Sequence, residues 1–296
     1  MANKCIITGA TGYIGSHVLK YLLSKGWEIH IIADPRFGYD NIQDVFSGID
    51  TFEYGGDVSS LCSYFRRVNA NVVFHLAAAV ITNYTPEQVP VLIQSNVQFG
   101  TEVLEAMKQS KMKLIVSTGS YWQNYNSETY NPVDLYAATK EAFEKIVQYY
   151  VDAYGFRHIN LRLFDVYGED DKRPKLWNTL KDIAGTDKHL AVSPGEQLLD
   201  LIHISDVCTA YEAAYDTLIN NQTIVNQTYG VRTGNKCSLR EAIAILEKAL
   251  GKTINVDFGA KPYKNREVMN PCDGYAYLPN WVAGVSLKEG FSRFVQ

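Results

Sequence analysis

Apolar residues gather along this chain in short runs that alternate with longer stretches of helical periodicity. Cys5-Ile6-Ile7 is short enough for a buried parallel strand, and Ile14, Val18, Leu19, Leu22 and Leu23 then recur at the spacing of one helix face. Glu28–Ala33 reads as a second strand, 51–54 as a third and 71–76 as a fourth. A helical segment over 89–108 leads to a strand over 113–117. A helix over 136–154, with Phe143, Ile146, Val147 and Tyr150 on one face, leads to a strand over 159–163. Mostly apolar strands, each followed by a helix, predict an α/β fold with a Rossmann-type doubly wound parallel sheet covered on both faces.

The pattern changes after Tyr167, where 168–174 is a charged, turn-rich junction. A helix over 238–250, a short strand over 254–258 and an amphipathic segment from Leu287 follow. The expected organisation is a dinucleotide-binding domain over 1–167, with a return segment near 200–229. A smaller lobe over 168–199 and 230–296 would close on a second substrate.

Composition narrows the classes. With 296 residues the chain can bury a substantial core, and a net charge of −4 without a basic block leaves no electrostatic footprint for nucleic acid. No apolar run approaches the roughly 20 residues needed to span a bilayer. Five scattered cysteines, odd in number and without CxxC spacing, favour reduced thiols over a disulfide frame or a zinc site. With no secretory leader visible, a cytoplasmic protein without a metal is expected.

The chemistry starts at 8–15, Thr-Gly-Ala-Thr-Gly-Tyr-Ile-Gly, set between the first strand and the first helix. That context turns a glycine pattern into a dinucleotide site. Gly9 permits the tight turn, Gly12 admits backbone to a pyrophosphate, and Gly15 lets helix and strand pack closely. Thr11, Tyr13 and Ile14 share the turn, and the helix N-terminus offers free N–H groups to phosphate. At the end of the second strand, Asp34 suits the adenosine ribose hydroxyls, whereas Arg36 suits a 2′-phosphate. The two signals conflict; NADP(H) is favoured and NAD(H) remains open. Asp57, followed by Val58, is placed either to meet the adenine amino group or to cap a helix. Leu76, Ala77 and Ala78 follow the fourth strand, and the small residues there admit close backbone approach to a cofactor. His75 reads as a packed, hydrogen-bonded histidine rather than a catalyst.

Tyr136 and Lys140 stand four residues apart on one helix face. A free tyrosine, with a pKa of about 10, exchanges protons poorly at neutral pH. A neighbouring ammonium is expected to lower that value toward what a general acid–base catalyst requires. Thr118, at the end of the strand before, supplies a hydroxyl at the same sheet edge.

With these motifs the chain resembles the extended short-chain dehydrogenase/reductases that act on nucleotide sugars, over nearly its whole length. The matching segments are 8–15, 55–58, 75–79, 95–106, 117–120, 136–140, 161–168 and 200–207. The resemblance implies that Thr118 hydrogen-bonds the substrate oxygen, Tyr136 transfers the proton, and Lys140 holds the nicotinamide ribose. Sugar 4,6-dehydratases of that family carry an Asp-Glu pair after the threonine; Gly119 and Ser120 stand here, which argues against elimination of water. Asp165 replaces a usual asparagine that contacts substrate, and Leu199 a usual arginine. Ser120-Tyr121-Trp122-Gln123 is similar to the 4-ketoreductases of CDP-linked deoxy- and dideoxyhexoses, the abequose and paratose synthases, enzymes of lipopolysaccharide O-antigen biosynthesis. Arg173, Lys175 and Arg266 fit the same resemblance as substrate contacts, Arg266 toward the pyrophosphate; each arginine could equally be a solvated surface charge. A homodimer through the helices near 89–108 and 136–154 is implied by analogy. The expected function is NADPH-dependent reduction of the C4 keto group of a nucleotide-linked, CDP-linked for preference, 4-keto-6-deoxy or 3,6-dideoxy sugar, with redox-neutral 4-epimerisation using tightly bound NAD as the alternative; the intact Thr118, Tyr136 and Lys140 argue against a non-catalytic cofactor-binding regulator.

Overall fold

The computed structural model describes residues 2–126 and 129–296. Seven strands form one sheet: β1 (Lys4–Thr8), β2 (Glu28–Ala33), β3 (Asp50–Glu53), β4 (Val72–His75), β5 (Leu114–Ser120), β6 (Arg157–Leu163) and β7 (Asn226–Val231). Their order is β7-β6-β5-β4-β1-β2-β3, and every pairing is parallel. The direction of strand succession reverses between β1 and β4, which opens a crevice at their C-terminal ends.

Both faces of the sheet are buried, so the central strands carry apolar side chains at successive positions. Ile7, Ile31, Phe74 and Val116 face α1 (Tyr13–Ser24), while Ile6, Ile32, Val73 and Ile115 face α2 (Val58–Val68), α3 (Phe99–Ser110) and α4 (Leu135–Tyr154). Helix α5 (Ile204–Asn220) packs beside α1 through Tyr211, Ala214 and Leu218. Helix α4 is fixed at both ends: Asp134 accepts from the Ala137 N–H at 2.8 Å, and Gly155 stops the helix at φ 66°.

Two differences from the sequence reading matter for the site. The segment 89–108 is not one α-helix; Gln94–Gln98 is a π turn between Val89–Ile93 and Phe99–Ser110. Hydrophobic periodicity cannot register the extra residue that such a turn accommodates. The last strand of the sheet, Asn226–Val231, reads as polar from the sequence and joins because its backbone pairs with β6.

Three further helices, Leu176–Ile183, Leu239–Leu250 and Leu287–Phe294, share a separate core of Trp177, Leu180, Leu246 and Phe291. Buried carboxylates tie these parts to the sheet. Asp200 accepts from the backbone N–H groups of Thr233 and Gly234 at 2.8 and 2.9 Å, and Asp206 from those of Gly284 and Val285, each at 3.0 Å. No helix among the described residues is long and apolar enough to cross a membrane, and no described cluster of His, Cys, Asp and Glu could hold a metal ion. All five cysteines are free thiols.

Candidate active site

The glycine turn owes its shape to close backbone approach. Gly9 has φ +74°, and a Cβ there would lie 2.6 Å from the Ala77 nitrogen. A Cβ on Gly15 would lie 2.0 Å from the Gly9 carbonyl oxygen, so β1 and α1 meet only because that atom is missing. Gly12 differs: its nearest such contact is 3.3 Å, its φ of −76° is open to any residue, and its α-carbon edge is exposed. No side chain caps α1, and its first turn carries no acidic residue. The free N–H groups and positive dipole end there suit a pyrophosphate, so the turn fits a dinucleotide.

Around the turn, Tyr13 is buried, and the Arg173 guanidinium lies 4.4 Å from its ring centre. Ile14 packs its side chain into the core and Thr11 offers its carbonyl to Asn41 at 2.9 Å. Only the backbone of Ile14 therefore faces the place where phosphate would bind. The opposite wall is the half-buried Leu76-Ala77-Ala78 segment. Thr8 joins the two walls: its hydroxyl bonds His75 Nδ1 at 2.9 Å and accepts from the Ala77 N–H at 3.3 Å. His75 is buried and burial pulls its pKa down to about 3, so it is a neutral packed residue, as expected.

At the end of β2, Asp34 accepts from Arg36 Nε at 2.9 Å and from the Arg36 N–H at 3.0 Å. The guanidinium holds the Asp34 carboxyl below the usual carboxylate range. The Arg36 side chain is 83% exposed and could turn to a phosphate without losing any packing. Asp57 caps α2, accepting from Ser59 and Ser60 at 3.0 and 3.3 Å, while Val58 packs inward. Of its two readings, the structure displays the helix cap.

Thr118 lies near the C-terminal end of β5, where its hydroxyl donates to the His75 carbonyl at 3.1 Å and lies 2.5 Å from the Tyr211 hydroxyl. Tyr136 is in the first turn of α4 and Lys140 one turn on, its ammonium 6.0 Å from the Tyr136 ring centre. Both are buried. The expected depression of the tyrosine by Lys140 is corrected here. Burial dominates and pushes the phenol well above its ordinary value, Asp134 adds to the rise, and Arg173 is the cation that opposes it. Spacing placed the amine near the ring but could not weigh the cost of burying a phenolate. Lys140 is pulled down to about 8, also by burial, with the Glu144 carboxylate opposing.

Behind Lys140 lies a charged cluster absent from the sequence reading. Arg162 donates to Glu141 at 3.2 Å and to Glu144 at 2.7 Å, and Gln123 donates to both carboxylates at 2.8 Å. Burial raises Glu144 to about 7. This cluster presses on Gly119, where a Cβ would lie 2.4 Å from Asn160 Oδ1 and 2.9 Å from Arg162 Cδ. A side chain at the place where a dehydratase would carry a carboxylate would have to displace Asn160 and Arg162.

The substrate candidates fall into two groups. Arg173 is gripped by Asp171 at 2.6 Å through Nε and a terminal nitrogen, and so reaches both Tyr13 and the surroundings of Tyr136. Asp165 accepts from the Tyr121 hydroxyl with both oxygens at 3.1 Å; burial raises its carboxyl to about 6, and Lys175 is the cation that opposes this. Arg266 stacks 4.4 Å over Tyr125, which packs in the same cluster as Tyr121, donates to Asn131, and adopts φ 60°.

Asn96 and Tyr211 escaped the sequence reading. Asn96, inside the π turn, accepts from the Ala79 N–H at 2.7 Å, donates to the Ala79 carbonyl at 3.0 Å and to Thr139 at 2.9 Å. It thereby ties the wall after β4 to the helix that carries Tyr136 and Lys140. The one sequence signal for it is its place inside the matching segment 95–106.

Comparison with known proteins agrees with this geometry. A CDP-abequose synthase of Salmonella muenchen is 26% identical over 99% of this chain and 97% of its own length. A UDP-glucose 4-epimerase of Halalkalibacterium halodurans is 25% identical over 86% of this chain and 83% of its own. Among solved structures, the Thermus thermophilus UDP-glucose 4-epimerase complexed with NAD has a TM-score of 0.82 at 24% identity, covering 99% of this chain and 97% of that one. The Bacillus cereus UDP-glucuronic acid 4-epimerase with UDP-glucuronic acid and NAD has 0.83 at 24%, covering 98% and 97%. These two share the fold. The profile of one family, described as the NAD dependent epimerase/dehydratase family, matches residues 5–226, and the chain belongs to that family.

Proposed function

We propose that this protein reduces the C4 keto group of a nucleotide-linked 4-keto-6-deoxy or 3,6-dideoxy sugar, CDP-linked for preference, with NADPH. The observation that carries the reading is the buried Tyr136 with the Lys140 ammonium 6.0 Å from its ring centre, on the side of the crevice where Thr118 also lies. A reduction needs a proton donor at that place, and a phenol is one. The nicotinamide, when bound, supplies the hydride, for which no side chain can substitute. Tyr136 then gives its proton to the oxygen as it gains charge, and the Thr118 hydroxyl steadies that oxygen. Lys140 holds the ribose. Arg173, the cation that lowers the phenol's pKa, favours the phenolate left behind. Arg173, Lys175, Arg266 and Asp165 are the substrate contacts in this reading.

Full-length similarity to CDP-abequose synthases supports a nucleotide-sugar substrate, and the tight surroundings of Gly119 speak against a dehydratase. The exposed Arg36 supports NADPH. We take 1–167 with the return near 200–229 as the dinucleotide domain, and 168–199 with 230–296 as the substrate lobe, in a cytoplasmic homodimer. A second reading, redox-neutral 4-epimerisation with NAD, is supported by similarity to UDP-sugar 4-epimerases. One experiment separates them. The protein is incubated with CDP-, dTDP- and GDP-linked 4-keto-6-deoxy sugars, and separately with UDP-glucose and UDP-glucuronic acid, while NADPH and NADH absorbance and the sugar products are followed. Stoichiometric loss of NADPH supports the reductase; conversion of a UDP-hexose without net cofactor use sinks it in favour of the epimerase. A Tyr136→Phe protein with unchanged turnover would defeat both.

A further inference from the structure

Thr118 has one hydroxyl proton, and two oxygens compete for the interpretation of its bonds. The His75 carbonyl, 3.1 Å away, can only accept, so that proton is donated there. The Tyr211 hydroxyl, 2.5 Å away, must then be the donor to Thr118 Oγ1. Tyr211 is fully buried on α5, and Thr118 is its one hydrogen-bond partner among the described residues. Its ring sits edge-on to Phe74 at 5.9 Å, a place that phenylalanine would fill as well. A buried hydroxyl is costly unless paired, and here the pairing is with the residue assigned to the reacting oxygen.

We infer that Tyr211 is a positioning residue for Thr118, holding its oxygen from behind so that the hydroxyl proton can swing from the His75 carbonyl to the substrate oxygen. The inference rests on the role given to Thr118 in the proposed function. During the swing Thr118 Oγ1 exchanges one acceptor for another, while the bond from Tyr211 persists. That bond fixes the side-chain torsion and polarises the threonine hydroxyl, because a hydroxyl that accepts a hydrogen bond donates a stronger one. Burial keeps the Tyr211 phenol protonated and in the donor role. Tyr211 is fully buried, so it acts through Thr118.

The test uses four proteins: wild type, Tyr211→Phe, Thr118→Ala and the double variant, each assayed with the nucleotide sugar and cofactor that the wild type turns over. Tyr211→Phe is expected to lower kcat about 10-fold with KM within about two-fold, and to change nothing further in the Thr118→Ala background. An unchanged kcat, or an equal loss in both backgrounds, overturns the inference while leaving the proposed function standing. Should Tyr211→Phe not fold, Tyr211→His, which keeps a donor, is compared with Tyr211→Leu; equal kcat values in the two overturn it. If the wild type turns over no nucleotide sugar, the proposed function fails. The bond itself is then read from thermal unfolding of the same four proteins, where losses that do not add support it and losses that add overturn it.

Discussion

Gly12 and Gly15 are three residues apart in one turn, yet their replacement by alanine should fail in different ways. At Gly15 the new methyl would lie 2.0 Å from the Gly9 carbonyl oxygen and 2.7 Å from its carbon. Ordinary contact needs roughly 3.5 Å, so α1 must retreat from β1 by more than about 1 Å or bend. Overpacking of this kind costs about 1–3 kcal/mol, and the better helix propensity of alanine returns at most about 1 kcal/mol. A net loss of about 2 kcal/mol corresponds to a fall of about 3 °C in Tm for a chain of this size. At Gly12 the methyl would meet nothing nearer than 3.3 Å, and the backbone angles there are ordinary. Stability should change by less than about 0.5 kcal/mol. The methyl nevertheless occupies the exposed side on which a pyrophosphate would approach the helix N-terminus. Differential scanning calorimetry of the protein without cofactor, paired with calorimetric titration of NADPH and NADH, reads both effects. The expected result is a Gly12→Ala protein with the wild-type Tm and cofactor affinity at least about 10-fold weaker, beside a Gly15→Ala protein lowered in both. A Gly15→Ala protein as stable as wild type, or a Gly12→Ala protein that binds either cofactor normally, refutes the assignment of the two glycines.

Three further outcomes follow from groups already described. Burial pulls Lys140 down to about 8, so its charge is lost as pH rises through that value; kcat/KM should fall above it, and Lys140→Arg, which stays charged, should move that limb upward if it retains activity. A profile flat across the alkaline range would count against a role for the ammonium. Folded His75 and His158 are held neutral down to about 3 and about 4, both by burial. The unfolded chain takes up those protons near 6.5, so stability from this source is complete above 6.5 and falls as pH drops toward 4. Glu144, raised to about 7, acts in the opposite sense between its unfolded and folded values. Asp165, raised to about 6, acts in the same sense as Glu144, so the test is a difference: on going from neutral to mildly acid pH the urea midpoint should drop more in Glu144→Gln than in wild type, and a smaller drop in that variant contradicts the reasoning. Finally, Gly119→Ala should lower the urea-derived stability by about 1–3 kcal/mol through collision with Asn160 and Arg162, and an unchanged midpoint would mean that the neighbours give way freely.

The strands were legible because burial on both faces demands apolar residues at successive positions, as in β1 and β4. The turn was legible because glycine is the one residue that fits at 9 and 15. Tyr136 and Lys140 declared themselves by helical spacing. What spacing could not supply was environment: the same four-residue interval would describe a solvated pair or a buried one, and burial reverses the direction in which the tyrosine moves. Tyr211 was invisible because it meets Thr118 across 93 positions of sequence, among twenty tyrosines of which it is one. Asn96 was hidden because the π turn around it breaks the period by which helix faces are recognised.

That π turn also constrains how the chain can change length. Each residue of a helix turns the next by about 100°. Deleting one residue from Gln94–Gln98 would let the turn close to α-helical pitch with the segments on either side still in phase, because the wider turn is what absorbs the extra residue. Gly100, where a Cβ would lie 2.4 Å from the Phe143 ring, would keep its place against that ring. Asn96 would lose its hold on Ala79 at the same stroke. The five residues work as a local insertion: a single deletion spares the helices on either side and costs the tie that Asn96 makes between the segment after β4 and the helix of Tyr136 and Lys140.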